Sequence, residues 1–211
     1  ELTGECGRAG NGPSRVQLLF TLLAAFGLAA LMFVVAPHLL SLGMQRLDLG
    51  GDMEGFTFHM WDGLFKFFIF IGYIAALSCV PEIRRVFQYH GAEHQTIHCY
   101  ENGLELTPEN CARFETLHPR CGTSFIMFVF LISLLLFSFL GWPNIAVRLL
   151  SRILLIPVVA GLSYELLRWA GRSDSAVVKV LSVPGLLMQR LTTKVPDESM
   201  LEVAIVAVNV C

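Results

Sequence analysis

The sequence predicts an all-α integral membrane protein: about four transmembrane helices, a cytoplasmic helical loop carrying a His/Cys cluster, and a short docked C-terminal segment. Three observations predict it. Apolar residues make up 55% of the 211 and charged residues only 15%, with a mean hydropathy of +0.62, far from a soluble average. Four apolar runs are long enough to cross a bilayer core of about 30 Å. The remaining polar sequence gathers into one long connection, and most of the histidines lie in it. The formal net charge of −2 gives nucleic acid nothing to bind, so the expected partners are the lipid bilayer and other membrane proteins.

Residues 1–15 are Gly-rich and polar and read as disordered. The chain opens on Glu1, without an initiator Met or a basic n-region, so the expectation is a missing start and no cleavable signal peptide. Segment 16–80 holds the first two spans. Val16 to Leu42 is almost wholly apolar, an acidic loop is expected from Asp48 to Asp62, and the second span is expected from Leu64 to Val80. Segment 81–122 is the polar connection. Its first part, from Glu82 to about Tyr100, reads as a helix ended by Asn102-Gly103. Thr107-Pro108 starts a short second helix, expected to run to about Leu117, where His118-Pro119 stops it.

Segment 123–168 holds the third and fourth spans, Thr123–Leu140 and Leu149–Leu167, with Pro157 and Gly161 inviting a kink. In segment 169–211, the apolar run Val177–Leu191 is too short to span and is interrupted by Pro184-Gly185, so it reads as interfacial or docked. Met200 to Val210 packs as a small element, strand or helix. The cytoplasmic side then receives eleven Lys and Arg, the other side four. That bias predicts a multi-pass protein of the cell's inner (cytoplasmic) membrane, with both termini and the polar loop in the cytoplasm.

The chemistry concentrates in Tyr89 to His98. His90, His94 and His98 step by four and share one helix face. Glu93 completes His-x-x-Glu-His, the inverted zincin pattern, in which two histidines hold Zn²⁺ and the Glu is general base. His90 and His98 are about 12 Å apart on a straight helix, whereas Zn–N bonds are about 2.0–2.1 Å. One ion therefore takes His90 with His94, or His94 with His98. His118 and Cys121 are the best further ligands in sequence. Glu165, at the cytoplasmic end of the fourth span, is a further candidate, with Arg84 or Arg85 as its alternative partners. A lone His on a polar helix is usually just a surface residue. Here His90, Glu93, His94, His98, His118 and Cys121 stand together in a chain with six histidines. The other cysteines show no framework spacing and read as buried free thiols.

The strings from Tyr89 to Glu101 and from His118 to Phe125 resemble the YqhQ-like family of bacterial and plastid membrane proteins. So do Gly161 to Glu165, Pro184 to Leu186, Gln189 to Thr193 and Glu202 to Ala204. The resemblance implies metal dependence but no established reaction. It covers His90, Glu93, His94, His98, Glu101, His118, Cys121 and Glu165. Two readings follow. One is a zinc-dependent hydrolase at the cytoplasmic membrane face, with Glu93 as base. The other is a non-enzymatic assembly or scaffold factor for membrane proteins, with a structural metal site.

Overall fold

The computed structural model describes residues 14–53, 55–139, 145–173 and 175–210, and all regular structure among them is helical. The expected disorder of the N-terminal segment falls almost wholly outside the described residues. Ser14 caps α1 (Arg15–Ala30) through a capping box with Gln17. A π-helical turn, Leu31–Val35, joins α1 to α2 (Ala36–Arg46), and Ala36 N–H reaches back to the Leu31 carbonyl. Pro37 has no N–H to give the α ladder, and the register slips just before it. The two helices form one apolar stretch, Arg15–Arg46.

Helix α3 spans Phe56–Leu77. It starts eight residues before the expected Leu64 and absorbs part of the expected acidic loop. Two local bonds account for this. Lys66 donates to Asp62 one turn earlier, and Trp61 Nε1 donates to the Leu49 carbonyl at 3.0 Å. Asp62 therefore belongs to the helix rather than to a loop.

Helix α4 (Pro81–Glu101) carries Pro in its first turn and ends before Gly103, whose φ of +68° suits glycine. Thr107 caps α5 (Pro108–Cys111), accepting from Asn110 N–H. That helix is one turn long and does not reach Leu117. From Ala112 to Cys121 the chain is irregular, and its carbonyls serve side chains of α4 instead of a ladder.

Helix α6 (Gly122–Phe139) and helix α7 (Ile145–Ala170) complete the spans, α7 running through Pro157. Four helices are thus long and apolar enough to cross a membrane. Helix α8 (Ala176–Thr192) is unbroken, correcting the expected interruption at Pro184-Gly185. Ser175 caps it, and Gly185 lets it lie against α6: a Cβ there would sit 2.6 Å from Ser124 Oγ. The C-terminal element is a helix, α9 (Glu198–Val210), which packs on α4. Ala92, Cys99, Cys111, Met200, Leu201 and Ile205 form a small buried core between α4, α5 and α9.

Candidate metal centre

The helical step of four puts His90, His94 and His98 on the face of α4 that meets the 112–121 segment. His90 Nδ1 donates to the Thr192 carbonyl at the end of α8, at 2.8 Å. His94 Nδ1 donates to the Thr116 carbonyl at 2.6 Å. Each carbonyl takes the Nδ1 proton and leaves Nε2 as the outward lone pair, the orientation that metal-ligating histidines adopt. Cys121 Sγ lies 3.2 Å from His90 Nε2. Ligand atoms of His90, His94 and Cys121 all lie within 4.8 Å of one another. Tetrahedral zinc bonds of about 2.0–2.3 Å hold neighbouring ligand atoms about 3.3–3.8 Å apart. The trio meets that requirement with small adjustments.

The electrostatics suit a metal as well. Burial pushes the Cys121 thiol up, but hydrogen bonds with His90, His94 and Thr123 outweigh it and bring the thiol down to about 5. Cys121 is then a thiolate at neutral pH, the form that binds metal. His90 is raised, chiefly by its bond to Cys121, against burial and with help from the Thr192 carbonyl and the Glu93 charge. Without metal, a proton shared between His90 and Cys121 occupies the place an ion would take.

A second group adjoins the first. His98, Glu101 and His118 also bring three ligand atoms within 4.8 Å of one another, and the His94 and His118 rings lie 5.8 Å apart. Its proton positions differ, however. Arg120 N–H donates to His118 Nδ1 at 3.2 Å. His118 Nε2 therefore carries the ring proton, and it faces Glu101 Oε2 at 3.3 Å. The other Glu101 oxygen accepts from the Arg120 guanidinium. A metal on His118 Nε2 would leave that ring without a proton. His98 Nε2 is tied to the Leu117 carbonyl at 2.8 Å. This is a filled hydrogen-bond network that braces the 112–121 segment. Burial and the neighbouring His98 and His94 lower the His118 pKa, against Glu101.

His90, His94 and Cys121 of the first group and Glu101 and His118 of the second line one cavity of about 540 Å³, together with Glu93, Arg120 and Thr123. Glu93 is exposed at its wall and belongs to neither ligand group. Glu165 is not among the cavity's residues: its side chain is 65% exposed, and it pairs with Arg168 at 3.6 Å. Arg84 and Arg85 form no ion pair with it.

Sequence reasoning missed Gln189. It is fully buried, accepts from His118 N–H, and donates to the His118 carbonyl and to Ser124 Oγ, each at 2.8 Å. Its signals were a polar residue inside an apolar run and a place in one of the strings that carry the family resemblance. Arg120 was missed for want of any signal that it would reach back to Glu101.

No solved structure matches this chain. "Uncharacterized protein YqhQ" of Bacillus subtilis (strain 168) is 44% identical over 149 residues, covering 70% of this chain. The chain spans about half the length of that relative, 47%. The family described as "Protein of unknown function (DUF1385)" matches residues 5–211, nearly the whole chain including every residue of the cluster, and the protein belongs to that family.

Proposed function

We propose that the protein is a membrane-embedded zinc-dependent hydrolase working at the cytoplasmic membrane face. The observation that carries this is the convergence of His90, His94 and Cys121, with both histidines already oriented by backbone carbonyls. Two imidazoles and a thiolate suit Zn²⁺. Three protein ligands are the donor count of a catalytic site, and the adjoining cavity gives room for a substrate. Bound there, the ion would supply Lewis-acid chemistry. Glu93 stands at the cavity wall next in sequence to His94, placed to take a proton from the attacking water and return it to the leaving group. Arg120 offers a positive group on the same wall for substrate charge. Cys121 replaces the downstream carboxylate of the inverted zincin pattern. The cytoplasmic placement rests on the eleven-to-four distribution of basic residues.

Metal analysis tests the assignment. The purified protein should carry about one zinc per chain. His94→Ala and Cys121→Ser should lose it, and His98→Ala should keep it. Equal metal in wild type and His94→Ala would sink the site.

A second reading is favoured by the way the cluster ties α4 to the end of α8 through His90 and Thr192. A metal there would staple the fold, and the protein would serve as an assembly or scaffold factor for other membrane proteins. Glu93→Gln separates the two readings. The hydrolase reading expects metal and fold to survive while complementation of a deletion strain fails. Full complementation would leave the scaffold.

A further inference from the structure

A second polar cavity lies at the far end of α6 from the His/Cys cluster. It is enclosed by α3, α6 and α7 and holds about 230 Å³. Its polar end is formed by His59, Asp62 and Lys66 of α3 and Arg152 of α7. The same four residues line an adjoining hollow of about 360 Å³ that reaches His38 on α2. The two hollows therefore share one charged floor. Apart from Ser133 and Ser138, the rest of the first cavity is apolar, with Phe130, Leu134 and Phe137 presenting one face of α6.

Charged side chains in a spanning helix are costly and need partners. Lys66 has one, since Asp62 accepts its hydrogen bond. Arg152 makes no ion pair among the described residues; its guanidinium lies 5.5 Å over the Phe137 ring. Among the described residues the floor thus sets two cations against one carboxylate. Arg152 lies in the second turn of α7 (Ile145–Ala170), toward the start of that helix. Lys66 lies about 15 Å along α3 from Phe56, at ~1.5 Å per residue. The Lys66 ammonium reaches back to Asp62, six residues from Phe56 and so about 9 Å from the start of α3. The excess positive charge therefore stands on the near side of the span's midpoint, within reach of the headgroup layer at that end, and an apolar wall leads away from it.

We propose that this cavity is a lipid site for an anionic phospholipid of the surrounding bilayer. Its phosphate would be held by Arg152 and Lys66, and one acyl chain would lie along the Phe130–Leu134–Phe137 face. Charge complementarity selects an anionic head, because the guanidinium fork pairs with phosphate oxygens. The apolar wall selects an amphiphile over a free ion.

The test is lipid retention by the full chain. The protein is reconstituted into phosphatidylcholine nanodiscs doped with phosphatidylglycerol, extracted in mild detergent, and weighed with its bound lipid by native mass spectrometry. Wild type should retain phosphatidylglycerol over phosphatidylcholine by about tenfold. Arg152→Gln should bring that ratio close to one, while Arg152→Lys keeps it within about twofold of wild type. Ser133→Phe fills the apolar arm without touching a charge and should also lower retention. Metal content should stay at the wild-type level in all three, since the His/Cys cluster is at the other end of α6. Wild-type retention in Arg152→Gln or in Ser133→Phe overturns the proposal. So does complete displacement of the lipid by millimolar inorganic phosphate, which would make the site one for the free anion.

Discussion

Cys121 is where opposing effects meet. Burial in an apolar setting favours the neutral thiol, and His90, His94 and Thr123 favour the thiolate strongly enough to win. In the metal-free protein, the thiolate absorbance lost in Cys121→Ser should therefore titrate with a midpoint of about 5. The sign of the stability effect follows. The folded-state value lies below the ordinary thiol value of about 8.5. Cys121 thus contributes stability above that value and loses it progressively as pH falls toward about 5. His90 is raised, so its own contribution is complete below about 6.5 and disappears as pH rises through its folded value. The difference in thermal stability between metal-free wild type and Cys121→Ser should shrink on acidification; a constant difference across that range would refute the pairing. At this scale part of the convergence was legible, because a step of four on a helix is a geometric statement. The spacing allowed His90 with His94 or His94 with His98, and the first pair is the one that meets Cys121. The placing of Glu165 was not legible, since sequence depth along a span does not say which way a side chain points. Here it points toward Arg168 and solvent or lipid.

The elements hold the site by backbone contacts that sequence patterns do not carry. The strap after α8 is laid against α4: Lys194 N–H donates to the Phe87 carbonyl at 2.8 Å, and Gln88 Nε2 donates to the Val195 carbonyl at 3.1 Å. Gly91 permits that approach, because a Cβ there would lie 2.1 Å from the Lys194 carbonyl oxygen. Gly91→Ala should therefore destabilise by about 1–3 kcal/mol, read as a lowered melting temperature, and should weaken metal retention by shifting the Thr192 carbonyl from His90. Gln189→Ala should cost about 1–3 kcal/mol for each buried His118 backbone group it leaves unpaired. If Gln189→Ala melts with wild type, the buried bracket is not what fixes the 112–121 segment. The spans were readable from apolar length alone. The start of α3 was not, because Asp62 looks like a loop residue until Lys66 is seen one turn on. The continuity of α8 was not either. Pro184 removes one ladder bond, and packing of Val178, Ser182, Gly185 and Gln189 against neighbouring helices holds the helix through it.

At the scale of the molecule, an even number of spans fixes which parts share a side. Four crossings would put the start of α1, the polar α4–α5 unit and the α8–α9 pair on one side and the loop between α2 and α3 on the other. Contacts of α9 with α4 and of α8 with α6 agree with that arrangement. The His/Cys cavity and the charged cavity at Arg152 lie toward opposite ends of α6, so four crossings would put them at opposite faces of the membrane. The proposed cytoplasmic placement of the cluster, which the charge bias supports, would keep thiols such as Cys121 reduced. Among the described cysteines Cys111 is fully buried, so it is a poor reporter of sidedness, whereas Cys79 is exposed at the end of α3. With the native cysteines other than Cys121 replaced by serine, single cysteines at the exposed positions Glu109 and Asp52 can report it. Asp52→Cys should react with a membrane-impermeant maleimide in intact cells. Glu109→Cys should react only after permeabilisation. Labelling of Glu109→Cys from outside would place the cluster on the outer face, and with it the proposed hydrolase and its substrate.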